Sequence, residues 1–166
     1  MDVLIMSDTH GDAAIIERIS ALYPNMAAYI HCGDSELSAD AKELDMFTKV
    51  GGNCDMDKNY SDESIIEVNG ANIYITHGHL YGVKSSLMAL HYRAQEVGAK
   101  IVCFGHSHLL GAEMIEGTLF LNPGSLRMPR GRKEKSFIVL SILDDVYVVK
   151  CLDENNNLIV EAKYTK

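Results

Sequence analysis

Five short apolar runs in this chain each break off at a glycine-bearing turn that carries Asp, Asn or His. The runs are Val3–Met6, Ala27–Cys32, Thr48–Val50, Ala71–Thr76 and Lys100–Phe104. The turns after them contain Asp8-Thr9-His10-Gly11, Gly33-Asp34, Gly52-Asn53-Cys54-Asp55, His77-Gly78-His79 and Gly105-His106-Ser107-His108. Runs this short and apolar predict strands covered on both faces, and ligands of open α/β sheets collect beyond the carboxyl ends of such strands. Glycine permits tight turns and a close approach of backbone to a bound ion or phosphate. A single Asp-x-His or His-x-His is ordinary turn chemistry, whereas five strand ends in register point to a shared site. Imidazole, carboxylate and amide oxygen without thiolate suit ions such as Mn, Fe, Ni, Co or Zn.

The segments between and beyond these runs fill in the fold class. Asp12 is placed to cap a helix in which Ile15, Ile16, Ile19 and Leu22 form one stripe, and Pro24 closes it. Asn69-Gly70 is a hairpin signal joining Ser64–Val68 to Ala71–Thr76, and Glu116-Gly117 joins Ala112–Ile115 to Thr118–Leu121. A second helix is expected over about Val83 to Val97, with Val83, Leu87, Leu90, Ala94 and Val97 on one face and Gly98 at its end. Ser136–Ile142, Val146–Leu152 and Leu158–Lys163 read as an antiparallel meander, whose free edge could pair copies into a homo-oligomer. Strand–helix alternation followed by hairpins predicts an α/β protein of two mixed β-sheets packed face to face and flanked by helices. At 166 residues the expectation is a single domain, 1–166.

Charge narrows the function classes. Lys and Arg number 15 against 23 Asp and Glu, a net charge of −8, which disfavours unspecific nucleic-acid binding. Two bound divalent cations would bring that total to about −4. The only basic cluster, Arg127, Arg130, Arg132, Lys133 and Lys135, either guides an anionic substrate or is a solvated loop. Cys32, Cys54, Cys103 and Cys151 form no C-x-x-C pair, so neither a zinc ribbon nor a disulfide framework is expected. The N-terminal run has no basic flank, and no stretch approaches the ~20 apolar residues of a membrane span, so a cytoplasmic location without membrane contact is expected.

The ordered set of turns resembles the calcineurin-like metallophosphoesterases. Their motifs run D-x-H, G-D, G-N-[HC]-[DE], H and G-H-x-H, met here by Asp8-Thr9-His10, Gly33-Asp34, Gly52-Asn53-Cys54-Asp55, His77 and Gly105-His106-Ser107-His108. The short chain, the G-N-C-D variant and Asn122-Pro123-Gly124-Ser125 are similar to the small bacterial and archaeal phosphodiesterase branch. The resemblance implies a four-layer α/β sandwich and a site for two divalent ions, manganese first, with iron, nickel, cobalt or zinc compatible with the same donors. Asp8, His10, Asp34 and His108 would hold one ion, and Asp34, Asn53, His77 and His106 the other, with Asp34 bridging. The implied reaction is in-line attack of a metal-bridging hydroxide on the phosphorus of a small phosphodiester.

The resemblance leaves particular residues to be placed. Many relatives carry His at the position of Cys54, and a thiol of pKa ~8.5 is a poorer acid near neutrality. The chain is therefore expected to rely on good leaving groups or on a donor from elsewhere, for which His79 is the candidate, while Cys54 either takes part in the chemistry or only packs. Asn53 and Ser125 are candidates for contact with phosphate, and Asp55 either orients a neighbour or caps its turn. His31 and His91 read as structural. The small retromer subunit has a similar fold and serves as a binding protein, so a non-catalytic metal-binding scaffold is the alternative, with a nuclease as the other.

Overall fold

The computed structural model describes residues 1–166. Eleven strands and two α-helices follow one another as β1 (Asp2–Met6), α1 (Ala13–Leu22), β2 (Ala28–His31), β3 (Phe47–Lys49), β4 (Glu63–Val68), β5 (Ala71–Thr76), α2 (Met88–Glu96), β6 (Ile101–Cys103), β7 (Gly111–Ile115), β8 (Thr118–Asn122), β9 (Ser136–Ile142), β10 (Val146–Asp153) and β11 (Leu158–Thr165). They build a six-stranded sheet in the order β11-β10-β9-β1-β2-β3 and a five-stranded sheet in the order β4-β5-β6-β8-β7. Both are mixed. Strands β1, β2 and β3 run parallel, as do β5, β6 and β8, while the meander β9-β10-β11 and the outer hairpin strands run antiparallel. The C-terminal ends of β1 and β2 therefore leave the first sheet side by side, and those of β5 and β6 leave the second in the same way.

Period-two alternation sorts the side chains of each central strand into layers. Val3 and Ile5 of β1 join Ile73, Ile75, Ile101 and Cys103 in the core between the sheets. Leu4 and Met6, on the opposite face of β1, pack with Ile15, Ile16 and Ile19 of α1. On the second sheet, Tyr74, Val102 and Phe120 pack with Leu90 and Ala94 of α2. The result is helix, sheet, sheet, helix, which is the calcineurin-like sandwich anticipated above. Cys32, Cys103 and Cys151 lie in the inter-sheet core as small apolar groups, and no cysteine is paired.

Local chemistry explains the element ends. Asp12 Oδ1 accepts from the Ile15 N–H, 3.1 Å away, and so caps α1. Asn69 and Gly70 have φ of +50° and +75°, and Glu116 and Gly117 have +46° and +79°, the handedness that two-residue hairpins require. One boundary departs from expectation: α2 begins at Met88, not near Val83. Val83 is buried, close against Gly78, but Gly82 is left-handed and residues 82–85 form turns. The apolar stripe there reports burial without a helical backbone. No helix is long and apolar enough to cross a membrane.

Candidate metal centre

The loops after β1 and β2 extend the ladder of their strands. The N–H groups of Asp8, His10 and Gly11 donate to the carbonyls of Gly33, Asp34 and Ser35, at 3.0, 3.0 and 2.8 Å. Asp55 ties in the third loop: its Oδ2 accepts from the N–H of Asp34 and of Gly52, both 2.8 Å away, and its Oδ1 accepts from the Glu36 N–H at 2.7 Å. The turn-cap and orienting roles considered for Asp55 are thus the same role.

Backbone strain gathers in these loops. Asp8, His10, Asp34, Glu36, His106 and His108 all have positive φ, between +43° and +68°, a region that L-residues rarely occupy. The other non-glycine residues with positive φ are Asn69, Glu116 and Asn156, each in a tight turn between strands. Local propensity does not favour six such residues in one place, so the surrounding hydrogen bonds must hold them, as is common at functional sites. Close packing adds to the constraint. A β-carbon at Gly105 would lie 2.1 Å from Ser7 Oγ and 2.5 Å from Asp8 Oδ2.

The side chains converge on Asp8. Its Oδ2 is satisfied by the Ser7 hydroxyl at 2.6 Å and the His106 N–H at 3.2 Å. Its Oδ1, fully buried, has no hydrogen-bond partner. That oxygen lies 3.1 Å from His108 Nε2, 3.7 Å from His10 Nε2 and 3.9 Å from His77 Nε2. His77 Nε2, also without a hydrogen-bond partner, is 3.1 Å from Asp34 Oδ2. Potential ligand atoms of Asp8, His10 and His108 lie within 4.8 Å of one another, as do those of Asp8, Asp34 and His77. Asp8 belongs to both of these groups, and Asp34 stands in the second beside His77. The His106 ring stands 5.2 Å from that of His77, and Asn53 is exposed at the rim with its amide turned to Cys54 Sγ at 3.5 Å.

Electrostatics keep the two central carboxylates ionised. Burial alone would raise Asp8, but the adjacent His108 and His77 rings and the Ser7 hydroxyl outweigh it and hold it below the usual range. Burial likewise opposes ionisation of Asp34, and His77 with the Cys54 N–H holds it well below that range. His77 is raised because Asp34 and Asp8 outweigh its burial, and His108 is raised by Asp8. His106 is pushed down to about 4 by burial and by His77. Two buried polar atoms lacking partners, amid ionised carboxylates and imidazoles, fit a divalent cation of borderline character. The histidine tautomers fit too. Nδ1 of His77 and of His108 each lies 2.7 Å from a backbone carbonyl, and Nδ1 of His10 lies 2.5 Å from Glu36 Oε1, leaving every Nε2 facing the centre.

Three further candidates take definite places. Cys54 does not pack away: it is exposed at the rim, and partial desolvation of its thiol together with the nearby Asp34 carboxylate pushes it up to about 11 in the metal-free chain. Ser125 does not face phosphate. It is fully buried, and its hydroxyl donates to the Asp8 carbonyl at 2.7 Å and accepts from the N–H of Arg127 and Met128. His79 does stand beside the cluster, with its ring 5.4 Å from that of His77, but burial and His77 lower it, which favours its neutral form.

The remaining candidates are also placed. His31 is a core histidine bonded to Thr9 Oγ1 at 3.0 Å, and His91, on α2, pairs with Glu116 of the β7–β8 turn at 2.9 Å. The basic cluster is a loop anchored beside His108 through the Arg130 N–H, with Arg132 and Lys135 in ion pairs to Glu134 and Glu154. Glu36 was missed, because nothing but its position two residues past Asp34 distinguishes it in the sequence.

Comparison with known proteins shows the family. Residues 1–145 match the model of the calcineurin-like phosphoesterase superfamily domain. The chain is 41% identical over 164 residues to a Bacillus subtilis protein named probable metallophosphoesterase YsnB, covering 98% of this chain and 97% of that one. It is 26% identical over 186 residues to the Escherichia coli phosphodiesterase YfcE, covering 94% and 95%. A Streptococcus pneumoniae structure described as a predicted phosphoesterase superposes with a TM-score of 0.96 at 32% identity, over 99% of this chain and 97% of that one. Vps29 of Entamoeba histolytica in complex with zinc shares the fold alone, with a TM-score of 0.77 at 19% identity over 99% of each chain.

Proposed function

The chain belongs to the calcineurin-like phosphoesterase superfamily and is a metal-dependent phosphoester hydrolase; within that class we propose that it holds two divalent ions and cleaves small phosphodiesters. The observation that carries this reading is the buried, unpartnered Oδ1 of Asp8, with three imidazole Nε2 atoms within 4 Å of it. A buried carboxylate oxygen ringed by imidazole nitrogens is a place where a divalent cation would be stabilised. Asp8, His10 and His108 would hold one ion, and His77, His106 and Asn53 the other, with Asp34 between them. Manganese is the ion to try first.

Two such ions supply an activated water and polarise the phosphoryl oxygens. The chain's own residues do the rest. Asn53, exposed at the rim, offers an amide N–H to a phosphoryl oxygen once it leaves Cys54. Neither Cys54, with a neutral thiol, nor His79, lowered by burial, is a strong proton donor near neutrality. The reading therefore favours diesters whose leaving alcohol departs without acid assistance, as the name of the YfcE relative also suggests.

The test is hydrolysis of a chromogenic phosphodiester and the matching monoester by chelator-stripped protein, with Mn²⁺ titrated back and Asp34→Asn run alongside. Metal-restored cleavage of the diester, lost in the variant, is the expected result. Binding of Mn²⁺ without turnover of either ester would overturn the catalytic reading in favour of an interaction scaffold.

A further inference from the structure

We propose that Glu36 is a positioning residue for His10, its carboxylate holding the ring in the Nδ1–H tautomer so that Nε2 is free to take an ion. The inference rests on the metal-binding reading above and adds a residue to it. Glu36 Oε1 lies 2.5 Å from His10 Nδ1, while Nε2 at the other end of the ring is 3.2 Å from His108 Nε2 and 3.7 Å from Asp8 Oδ1. The contact bridges the inside of the site and its rim, for the His10 side chain is 9% exposed and that of Glu36 is 41% exposed.

The comparison with its neighbours shows what a carboxylate adds. His77 and His108 are oriented by the backbone carbonyls of Cys32 and Met128. Those bonds fix the tautomer with a neutral dipole. At His10 the partner is a carboxylate, which makes the ring a more electron-rich donor as well as an oriented one.

The placement of Glu36 is built in. Its backbone has φ of +54°, and its N–H donates to Asp55 Oδ1 at 2.7 Å. The other oxygen of the same Asp55 carboxylate accepts from Asp34 and Gly52. The loops after β2 and β3 thus converge to hold Glu36 where it reaches His10 on the loop after β1. Cys54 Sγ lies within 4.8 Å of the ligand atoms of both residues.

Two measurements on the full chain test this. Long-range ¹H–¹⁵N NMR of the metal-free protein should show His10 protonated at Nδ1 in the wild type, retained in Glu36→Gln, whose amide oxygen still accepts, and lost or mixed in Glu36→Ala. Calorimetric titration with Mn²⁺ should show one binding step weakened roughly 10- to 100-fold in Glu36→Ala and less in Glu36→Gln. A wild-type His10 protonated at Nε2, or Glu36→Ala binding Mn²⁺ as the wild type does, would overturn the role of Glu36 and leave the hydrolase reading intact. Failure of the wild type to bind Mn²⁺ at all would overturn both.

Discussion

Gly52 stands so close to Asp34 that a β-carbon added to it would lie 2.0 Å from Asp34 Oδ1 and 2.7 Å from the Asp34 backbone nitrogen. No rotamer change relieves the second contact, since it is to backbone. Gly52→Ala should therefore displace the Asp34 loop and weaken Mn²⁺ binding at least about tenfold, a loss in the range seen when a ligand's support is removed. Gly111→Ala is the control, because open space surrounds that position. Calorimetry and far-ultraviolet circular dichroism together check that binding falls while the fold persists.

Cys54 makes a second prediction. In the metal-free chain its thiol is pushed up to about 11 by desolvation and the Asp34 carboxylate, and the same neutral state is expected between pH 6 and 9 during turnover. Cys54→Ser should leave the shape of the pH–rate profile unchanged across that range. Cys54→His should place an imidazole at the rim and speed cleavage of diesters with poor leaving alcohols by roughly tenfold or more. Equal rates for Cys54→His and the wild type on such substrates would remove acid assistance from consideration at this position.

Metal removal should be visible without substrate. An ion at one hundred times its Kd stabilises the folded state by about 2.7 kcal/mol. In a chain of this size that is a rise in Tm of roughly 5–10 °C. Calorimetric melts in excess chelator and in excess Mn²⁺ measure the difference, and coincident melts would count against any tight site.

His31 sets a pH dependence of stability in the metal-free protein. Burial lowers it to about 4 in the folded chain, despite the opposing pull of Asp8, against about 6.5 when unfolded. Unfolding thus takes up a proton between those values. The stabilisation is fully present above pH 6.5 and is lost as the pH falls toward 4, by about 2 kcal/mol near pH 4.5. Urea titrations at pH 7 and 4.5 should show His31→Gln losing less stability than the wild type over that interval. Parallel losses in the two proteins would contradict it.

Much of this molecule was legible in its sequence because its signals are local. Short apolar runs and the Asn69-Gly70 and Glu116-Gly117 turns specify strands and hairpins directly, and the Asp, Asn and His residues after the strands mark the rim where the site lies. What escaped depends on contacts across the fold. Ser125 has the composition of a phosphate-contacting turn, and only its burial against the Asp8 carbonyl shows otherwise. Glu36 gains its meaning from His10, 26 residues earlier and on another loop. The early start expected for α2 failed for a related reason, since Val83 is buried by the turn at Gly78 with no helix around it.

The candidate ligands come from opposite halves of the sandwich. Asp8, His10 and Asp34 follow strands of the six-stranded sheet, whereas His77, His106 and His108 follow strands of the five-stranded one. An ion gripped by both groups acts as a clasp on the rim, so that prising the halves apart and releasing the ion become one event. Slow amide hydrogen exchange along β1 and β6 would then report whether the clasp is closed, with no substrate present.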